Sequence, residues 1–100
     1  MAYNADDPEQ VKKAKKRAEQ EEALKNDVIK NIMSTPAGRA WVYELLNRCH
    51  IYHTPFVQGH PDVTAFNCGE QNFGNQLLAD VQIAASGDYL TMIKEAKASK

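Results

Sequence analysis

Apolar residues are sparse in the first part of the chain and become regular towards residue 33. Between residues 8 and 33 the pattern predicts one long helix, which Asp6 or Asp7 caps and Pro8 opens. Val11 and scattered alanines are the only apolar groups of its first half. Its second half carries an apolar stripe, which consists of Leu24, Val28, Ile29, Ile32 and Met33. We therefore expect a disordered N-terminus over residues 1–7 and a helix over residues 8–33 whose first half is an undocked arm.

A second, more apolar helix is predicted within residues 34–50. Thr35 can cap this helix through its hydroxyl. Pro36 suits the first helical position, because a backbone N–H there would have no hydrogen-bond acceptor within the helix. Five residues then share one face: Trp41, Val42, Leu45, Leu46 and Cys49. Because this is the densest apolar stretch of the chain, we expect the other helices to pack against it.

Two more helices are predicted after a loop whose prolines and glycine exclude a regular helix. One is capped by Asp62 and runs to about residue 85, and Gly87 is expected to end it in a left-handed conformation before Asp88 opens the last. Its apolar face comprises Phe66, Phe73, Leu77, Val81 and Ala84. The sequence thus predicts an all-α fold, a small bundle of about four helices with a long protruding N-terminal helix. Residues 34–98 form the small helical domain.

Two glycines lie inside the third predicted helix. Gly69 and Gly74 each cost about 1 kcal/mol relative to alanine, so we expect a close crossing with the central helix, with Trp41 buried opposite one of them. The predicted core consists of Trp41, Leu45, Leu46, Phe66, Gly69, Phe73, Gly74 and Leu77. Since only about 65 residues can build this core, it is marginal, and a homo-oligomer, a multi-copy ring or a bound subunit is expected.

Positive charge is concentrated near the N-terminus, although the formal net charge is only −1. The basic block comprises Lys12, Lys13, Lys15, Lys16 and Arg17. Such a block can contact nucleic acid or an acidic protein surface. Acidic residues flank it, and Glu21 and Lys25 pair at helical spacing, so a solvated helix face is the favoured interpretation. The candidate partner-binding residues within it are Lys12, Lys13, Lys16 and Arg17.

Metal, cofactor and catalytic chemistry are not expected. The possible soft ligands are Cys49, His50, His53, His60 and Cys68, but their spacing does not match the paired ligands of structural zinc sites. The histidines lie with Asp62 in one loop, which is a poor scaffold for catalytic geometry. Residues 69–74 lie inside a predicted helix, so they are not a phosphate-binding loop. With neither a secretion signal nor a membrane-spanning run, the sequence predicts a cytosolic chain with reduced cysteines.

A helix-turn-helix DNA-binding domain is the competing interpretation, because such domains also have three or four helices. The third predicted helix, however, offers amides and no basic residue for contacts with phosphates and bases. These amides are more simply a polar surface for protein contacts, and they are Gln71, Asn72, Asn75 and Gln76.

Three segments within residues 34–96 form a composite pattern of helix starts, glycines and apolar positions. Its residues are Thr35, Pro36, Gly38, Arg39, Trp41, Leu45, Leu46, Phe56, Phe66, Gly69, Asn72, Gly74, Leu77, Leu78, Tyr89, Leu90, Met92, Glu95 and Ala96. This pattern resembles a family of small helical proteins encoded in the structural-gene clusters of short-tailed bacteriophages. The basic block lies outside the similarity, and Glu70 and Gln71 stand where the family usually has basic residues.

This resemblance implies a non-catalytic structural or assembly component of a tailed bacteriophage virion, made in the host cytoplasm. Its expected partners are other virion proteins at the portal, in the head or in the internal core. The alternative function is a cytosolic nucleic-acid-binding or regulatory protein, which would use the basic block.

Overall fold

The computed structural model describes residues 7–99, which form three helices and no strand. These helices are α1 (Pro8–Met33), α2 (Pro36–Arg48) and α3 (Pro61–Ala98). The all-α fold class and the long N-terminal helix are confirmed, but the count of four helices is wrong. The predicted disordered segment lies outside the described residues except for Asp7.

Local capping explains where the first two helices begin. The side chain of Asp7 accepts a hydrogen bond from the backbone N–H of Glu9 at 3.0 Å, and Thr35 Oγ1 accepts one from the N–H of Gly38 at 3.1 Å. Each cap precedes a proline at the first helical position. Helix α3 differs from the prediction, because it begins at Pro61 without a side-chain cap and Asp62 lies in its first turn.

The two helices predicted on either side of Gly87 form one element with a kink. Ala85 has a non-helical backbone conformation, with φ −150° and ψ 56°, and helical geometry resumes after it. The left-handed conformation predicted for Gly87 is not adopted, since Gly59 is the one glycine with positive φ. Glycine permits such a helix end but does not require it.

Helix α2 runs antiparallel to α3. Near the start of α2, Arg39 forms an ion pair with Glu95 and also donates a hydrogen bond from Nη1 to the Met33 carbonyl oxygen at 3.0 Å. At the other end of α2, the Cβ of Cys49 lies close to the backbone of Gly74. These contacts position both ends of α2 on α3.

Helix α1 packs on the other two helices only through its C-terminal part. Lys25 Nζ lies 3.2 Å from Asp80 Oδ1, and the Ile32 carbonyl lies against Gly38. Glycine is required at position 38, because a Cβ there would be 1.8 Å from that carbonyl oxygen. Residues 11–25 are all exposed, as predicted for the arm.

The core is smaller than predicted, and it uses different residues. Its buried apolar side chains are Met33, Val42, Leu46, Val81, Ala84, Ala85 and Met92. Of the predicted set, Leu46 and Gly74 are buried, while Leu45 and Leu77 are half-buried. Gly74 packs against Cys49 and Ile51, not against Trp41.

The predicted burial of three aromatic side chains is wrong for the single chain. Trp41 is 54% exposed, Phe66 is 68% exposed and Phe73 is 63% exposed. Val42 and Leu46 face α3, and Trp41, one residue from Val42, is turned about 100° away. Gly69 faces open space, with nothing within 4 Å of a Cβ built on it. The aromatic rings and the glycine therefore do not form the predicted crossing.

Tyr43 and Tyr52 stack beside the core, with ring centroids 5.0 Å apart and planes at 18°. The Tyr52 hydroxyl is buried and has no hydrogen-bond partner among the described residues. Burial raises the pKa of Tyr52 above its ordinary value of 10.0, and the nearby Tyr89 hydroxyl adds to this increase. The hydroxyl therefore stays neutral to a higher pH in the folded chain than in the unfolded chain, and its burial without a hydrogen bond costs stability.

The molecule is thin and extended. The radius of gyration is 18.1 Å, whereas about 13 Å is typical of a compact domain of this length. The principal extents are 54 × 37 × 16 Å. Within residues 7–99, no helix is sufficiently long and apolar to cross a membrane.

Candidate interaction surface

Three side chains form a line along α3, and only one end of this line is covered by α1. Phe66, Phe73 and Asp80 are spaced by seven residues, so they lie on one side of the helix. Helix α1 covers this line at Asp80, where Lys25 makes its ion pair. Phe66 and Phe73 remain uncovered, with Gly69 between them. We call Phe66, Gly69 and Phe73 the aromatic stripe.

Acidic residues flank the aromatic stripe. Asp62 lies one turn before Phe66, and Glu70 lies between Phe66 and Phe73 at helical-neighbour spacing. Helix α3 contains no Lys or Arg before Lys94. The stripe is therefore an apolar surface in an acidic environment.

The arm (residues 11–24) is the basic counterpart of this surface. Its block, from Lys12 to Arg17, is exposed and forms no ion pair with the other described residues. The arm face that continues the docked side of α1 carries Val11 and Ala18 together with the charged Lys15 and Glu22. A helix of this length without a covered apolar face is marginal in water.

The four amide side chains that were predicted to form one surface have different environments in the structure. Gln71 donates a hydrogen bond from Nε2 to the His50 carbonyl oxygen at 2.7 Å, so its amide holds the loop that precedes α3. Asn72, Asn75 and Gln76 are exposed, and their role in partner binding stays a prediction.

His50 fixes the end of α2 against α3. It has positive φ, 61°, at the position where helices often place glycine, and the N–H of Ile51 bonds back to the Leu46 carbonyl. His50 Nε2 lies 3.1 Å from Glu70 Oε1, and His50 Nδ1 lies 2.9 Å from His53 Nε2. These contacts give His50 a structural role that the sequence did not indicate.

The geometry of the described residues supports neither a metal site nor a disulfide. Among residues 7–99, no group of three or more His, Cys, Asp or Glu side chains is arranged to hold a metal ion. Cys49 is half-buried, Cys68 is exposed, and both are free thiols. A groove of about 340 Å³ between α2 and the end of α3 contains Arg39 and Glu95, which are already paired with each other.

The sequence analysis missed the aromatic stripe as a surface, although a signal was present. Asp80 shares a helical line with the two phenylalanines, and a carboxylate on that line argues against full burial. Other large apolar side chains are also exposed: Leu24, Phe56, Ile83 and Leu90.

Comparison with known proteins supports the phage resemblance. A family described as Bbp19-like phage protein matches residues 29–94. The match includes the docked end of α1, all of α2 and most of α3, but not the arm. No curated protein and no solved structure matches the chain. The match covers well over half of the sequence, so the chain belongs to the Bbp19-like phage protein family.

Proposed function

We propose that this protein is a structural or assembly component of a tailed bacteriophage particle. It acts in many copies, through contacts with other particle proteins and not through catalysis. The portal, the head and the internal core are the candidate positions, and synthesis takes place in the host cytoplasm. Membership of a phage protein family provides the biological setting for this proposal.

One observation carries the proposal: the single chain leaves more large apolar side chains exposed than it buries. Ten large hydrophobic side chains are exposed, whereas five are buried: Met33, Val42, Leu46, Val81 and Met92. Apolar patches on a protein surface mark interfaces, and Phe66 and Phe73 share one side of α3. Because the fold is also thin and extended, contacts with other subunits supply the burial that one chain lacks.

The proposal is tested by quantitative mass spectrometry of phage particles and of assembly intermediates isolated from infected cells. We expect the chain in one of these fractions at a multi-copy ratio to the major head protein. Deletion of the gene should then reduce the yield of infectious particles. Absence of the chain from every particle fraction would overturn the proposal.

Nucleic-acid binding is the second candidate, and the exposed basic block favours it. It requires an affinity for duplex DNA that falls steeply with salt and is lost when Lys12, Lys13, Lys16 and Arg17 are changed to glutamine. A gel-shift or anisotropy titration at low salt measures this affinity directly. If no binding is detected at low salt, only the structural role stands.

A further inference from the structure

We propose that two copies of this chain exchange the ends of their α3 helices. In each copy α3 straightens at its kink, and the terminal segment (residues 86–98) packs on α2 of the other copy. The partner is therefore a second copy of the same chain. This exchange is a property of the purified protein, so it does not rest on the proposed function.

The sequence at the kink permits a straight helix. Ala85 is the one residue inside α3 with non-helical backbone angles, although alanine is the residue best suited to a helix. The next two residues, Ser86 and Gly87, form a pair of the kind at which helices commonly kink. No proline follows Pro61 within α3. Both a bent and a straight α3 are therefore compatible with the local sequence.

Contacts with the rest of the chain hold the bend in place. Met92 is 1% exposed and lies in the core with Met33 and Leu46. Glu95 pairs with Arg39, whose side chain is 12% exposed. These partners belong to α1 and α2, and every copy presents the same ones. The terminal segment of a second copy can therefore form the contacts that it leaves in its own chain, which is the basis of domain swapping.

A straight α3 cannot keep both of its contacts with the α2 of its own chain. The bent helix meets α2 at Gly74, which packs against Cys49, and again at Glu95. At a rise of about 1.5 Å per residue, the stretch of α2 from Arg39 to Cys49 spans roughly 15 Å. A straight stretch of α3 from Gly74 to Glu95 would span roughly 32 Å. Straightening therefore moves Glu95 beyond Arg39 of its own chain.

The receiving site is vacant in the exchanged state. Each copy withdraws its own terminal segment when α3 straightens, so the segment of the other copy enters an empty site and meets no helix there. Since each segment takes the place of the one that left, the two straight helices cross at their former kinks. The two bodies formed by α1 and α2 then lie in opposite angles of this cross and do not overlap. The reciprocal exchange gives a closed dimer.

Small residues occupy the point at which the two helices cross. Ala84, Ala85, Ser86 and Gly87 follow one another in the chain. Because the distance between two packed helices depends on the side chains at their contact, this run lets the two backbones approach closely. In the single chain nothing lies within 4 Å of a Cβ built on Gly87, although glycine inside a helix is unfavourable. A second α3 at this point gives that glycine a packing role.

Reversal of the ion pair between Arg39 and Glu95 distinguishes exchange from any other association. Arg39→Glu places two acidic groups in contact within its own chain, and Glu95→Arg places two basic groups there. In an exchanged dimer of the two variants, both contacts join opposite charges again. A dimer without exchange restores neither contact. We therefore expect a 1:1 mixture, refolded together from urea at high protein concentration, to give heterodimers in roughly tenfold or greater excess over either homodimer in native mass spectrometry.

Arg48→Glu and Glu44→Arg are the matched control for this mixture. These residues form an ion pair at 2.7 Å within α2, so an exchange of α3 cannot bring the two altered charges together. Their heterodimers should appear only in statistical proportion. If Arg39→Glu or Glu95→Arg does not fold alone, recovery of the helical circular dichroism signal after joint refolding gives the same result, and no recovery contradicts the exchange.

Ala85→Gly tests the straight helix. Glycine is less favourable than alanine in a helix, whereas the non-helical angles of Ala85 in the bent chain carry no such penalty. Because each dimer contains two altered helices, the variant should weaken dimerisation by roughly tenfold or more in sedimentation velocity. Ala65→Gly is the control: this residue is exposed and helical in both states, so the dimer should be unchanged.

Three results would overturn the inference. They are a parent that is monomeric after refolding at high concentration, a charge-reversed mixture with heterodimers in statistical proportion only, and an Ala85→Gly dimer as tight as that of the parent. The proposed function would stand in each case, because contacts with other particle proteins do not require the exchange.

Discussion

Replacement of Gly38 by alanine tests the tightest contact between α1 and α2. A Cβ on Gly38 would lie 1.8 Å from the Ile32 carbonyl oxygen and 2.8 Å from its carbonyl carbon. Both atoms belong to the backbone, so rotation of a side chain cannot relieve the overlap. Since nonbonded heavy atoms prefer separations of roughly 3.5 Å, the helices must separate by more than about 1 Å.

The expected cost follows from two opposing effects. Overpacking of a well-packed contact costs about 1–3 kcal/mol and occasionally more. The better helix propensity of alanine recovers at most about 1 kcal/mol. We therefore expect a net loss of about 2 kcal/mol, which corresponds to a melting temperature lower by roughly 8–16 °C for a chain of this size.

Thermal and urea unfolding, followed by far-ultraviolet circular dichroism at low protein concentration, measure this loss. Gly69→Ala is the matched control, because the same change there meets open space. It should raise stability by about 1 kcal/mol through helix propensity alone. If Gly38→Ala melts at or above the temperature of the parent, the described packing of α1 on α2 is incorrect.

Other variants test the core and the polar groups near it. Leu46→Ala should cost about 2–5 kcal/mol because its side chain is fully buried, whereas Trp41→Ala should cost less than about 2 kcal/mol because the ring is 54% exposed; the reverse order in urea denaturation would contradict the described core. Tyr52→Phe keeps the stacked ring and removes the unpaired hydroxyl, so it should raise stability by about 1 kcal/mol, and a loss would show that the hydroxyl has a partner. Stability should fall as the pH rises above about 10, as measured by urea denaturation across that range. Above pH 10.0 the unfolded chain ionises at Tyr52 while the raised pKa keeps the folded chain neutral there. Hydrogen bonds to Asp80 and Glu22 raise the pKa of Lys25. The contribution of these bonds to the stability of the fold is therefore present below pH 10.5 and is lost as the pH rises above it. Tyr52→Phe should lose less stability over this pH range than the parent, and an equal loss would contradict the assignment to Tyr52.

Local signals in the sequence predicted the helices well. The pairs Asp7 with Pro8 and Thr35 with Pro36 combine a capping side chain with a residue suited to the first helical position, and both helices begin there. The predicted end of α1 near Met33 is also confirmed. At Gly87 a local signal failed, because whether a glycine ends a helix depends on packing that surrounds it.

The orientation of each helix was harder to predict than its existence. The apolar positions of α3 are spread over more than one face, so the pattern allows Phe66 and Phe73 to be inward or outward. The close contacts of Gly38 with Ile32 and of Gly74 with Cys49 fix the orientation, and these depend on three helices at once. Charged side chains are almost always exposed, so the sequence predicted the exposure of the basic block correctly. Apolar side chains occur both in the core and at the surface, so the sequence did not reveal that the aromatic stripe is exposed.

The contact at Gly38 also has a mechanical consequence. Helix α1 is an uninterrupted lever whose direction is set where it packs on α2, and Pro8 lies roughly 36 Å along the helix from Ile32. A change of about 10° in the direction of α1 at this contact would move the far end by about 6 Å. The reach and direction of the lever are thus determined by the approach of two backbones at a single glycine. The curvature of any assembly built from such levers is sensitive to that one position.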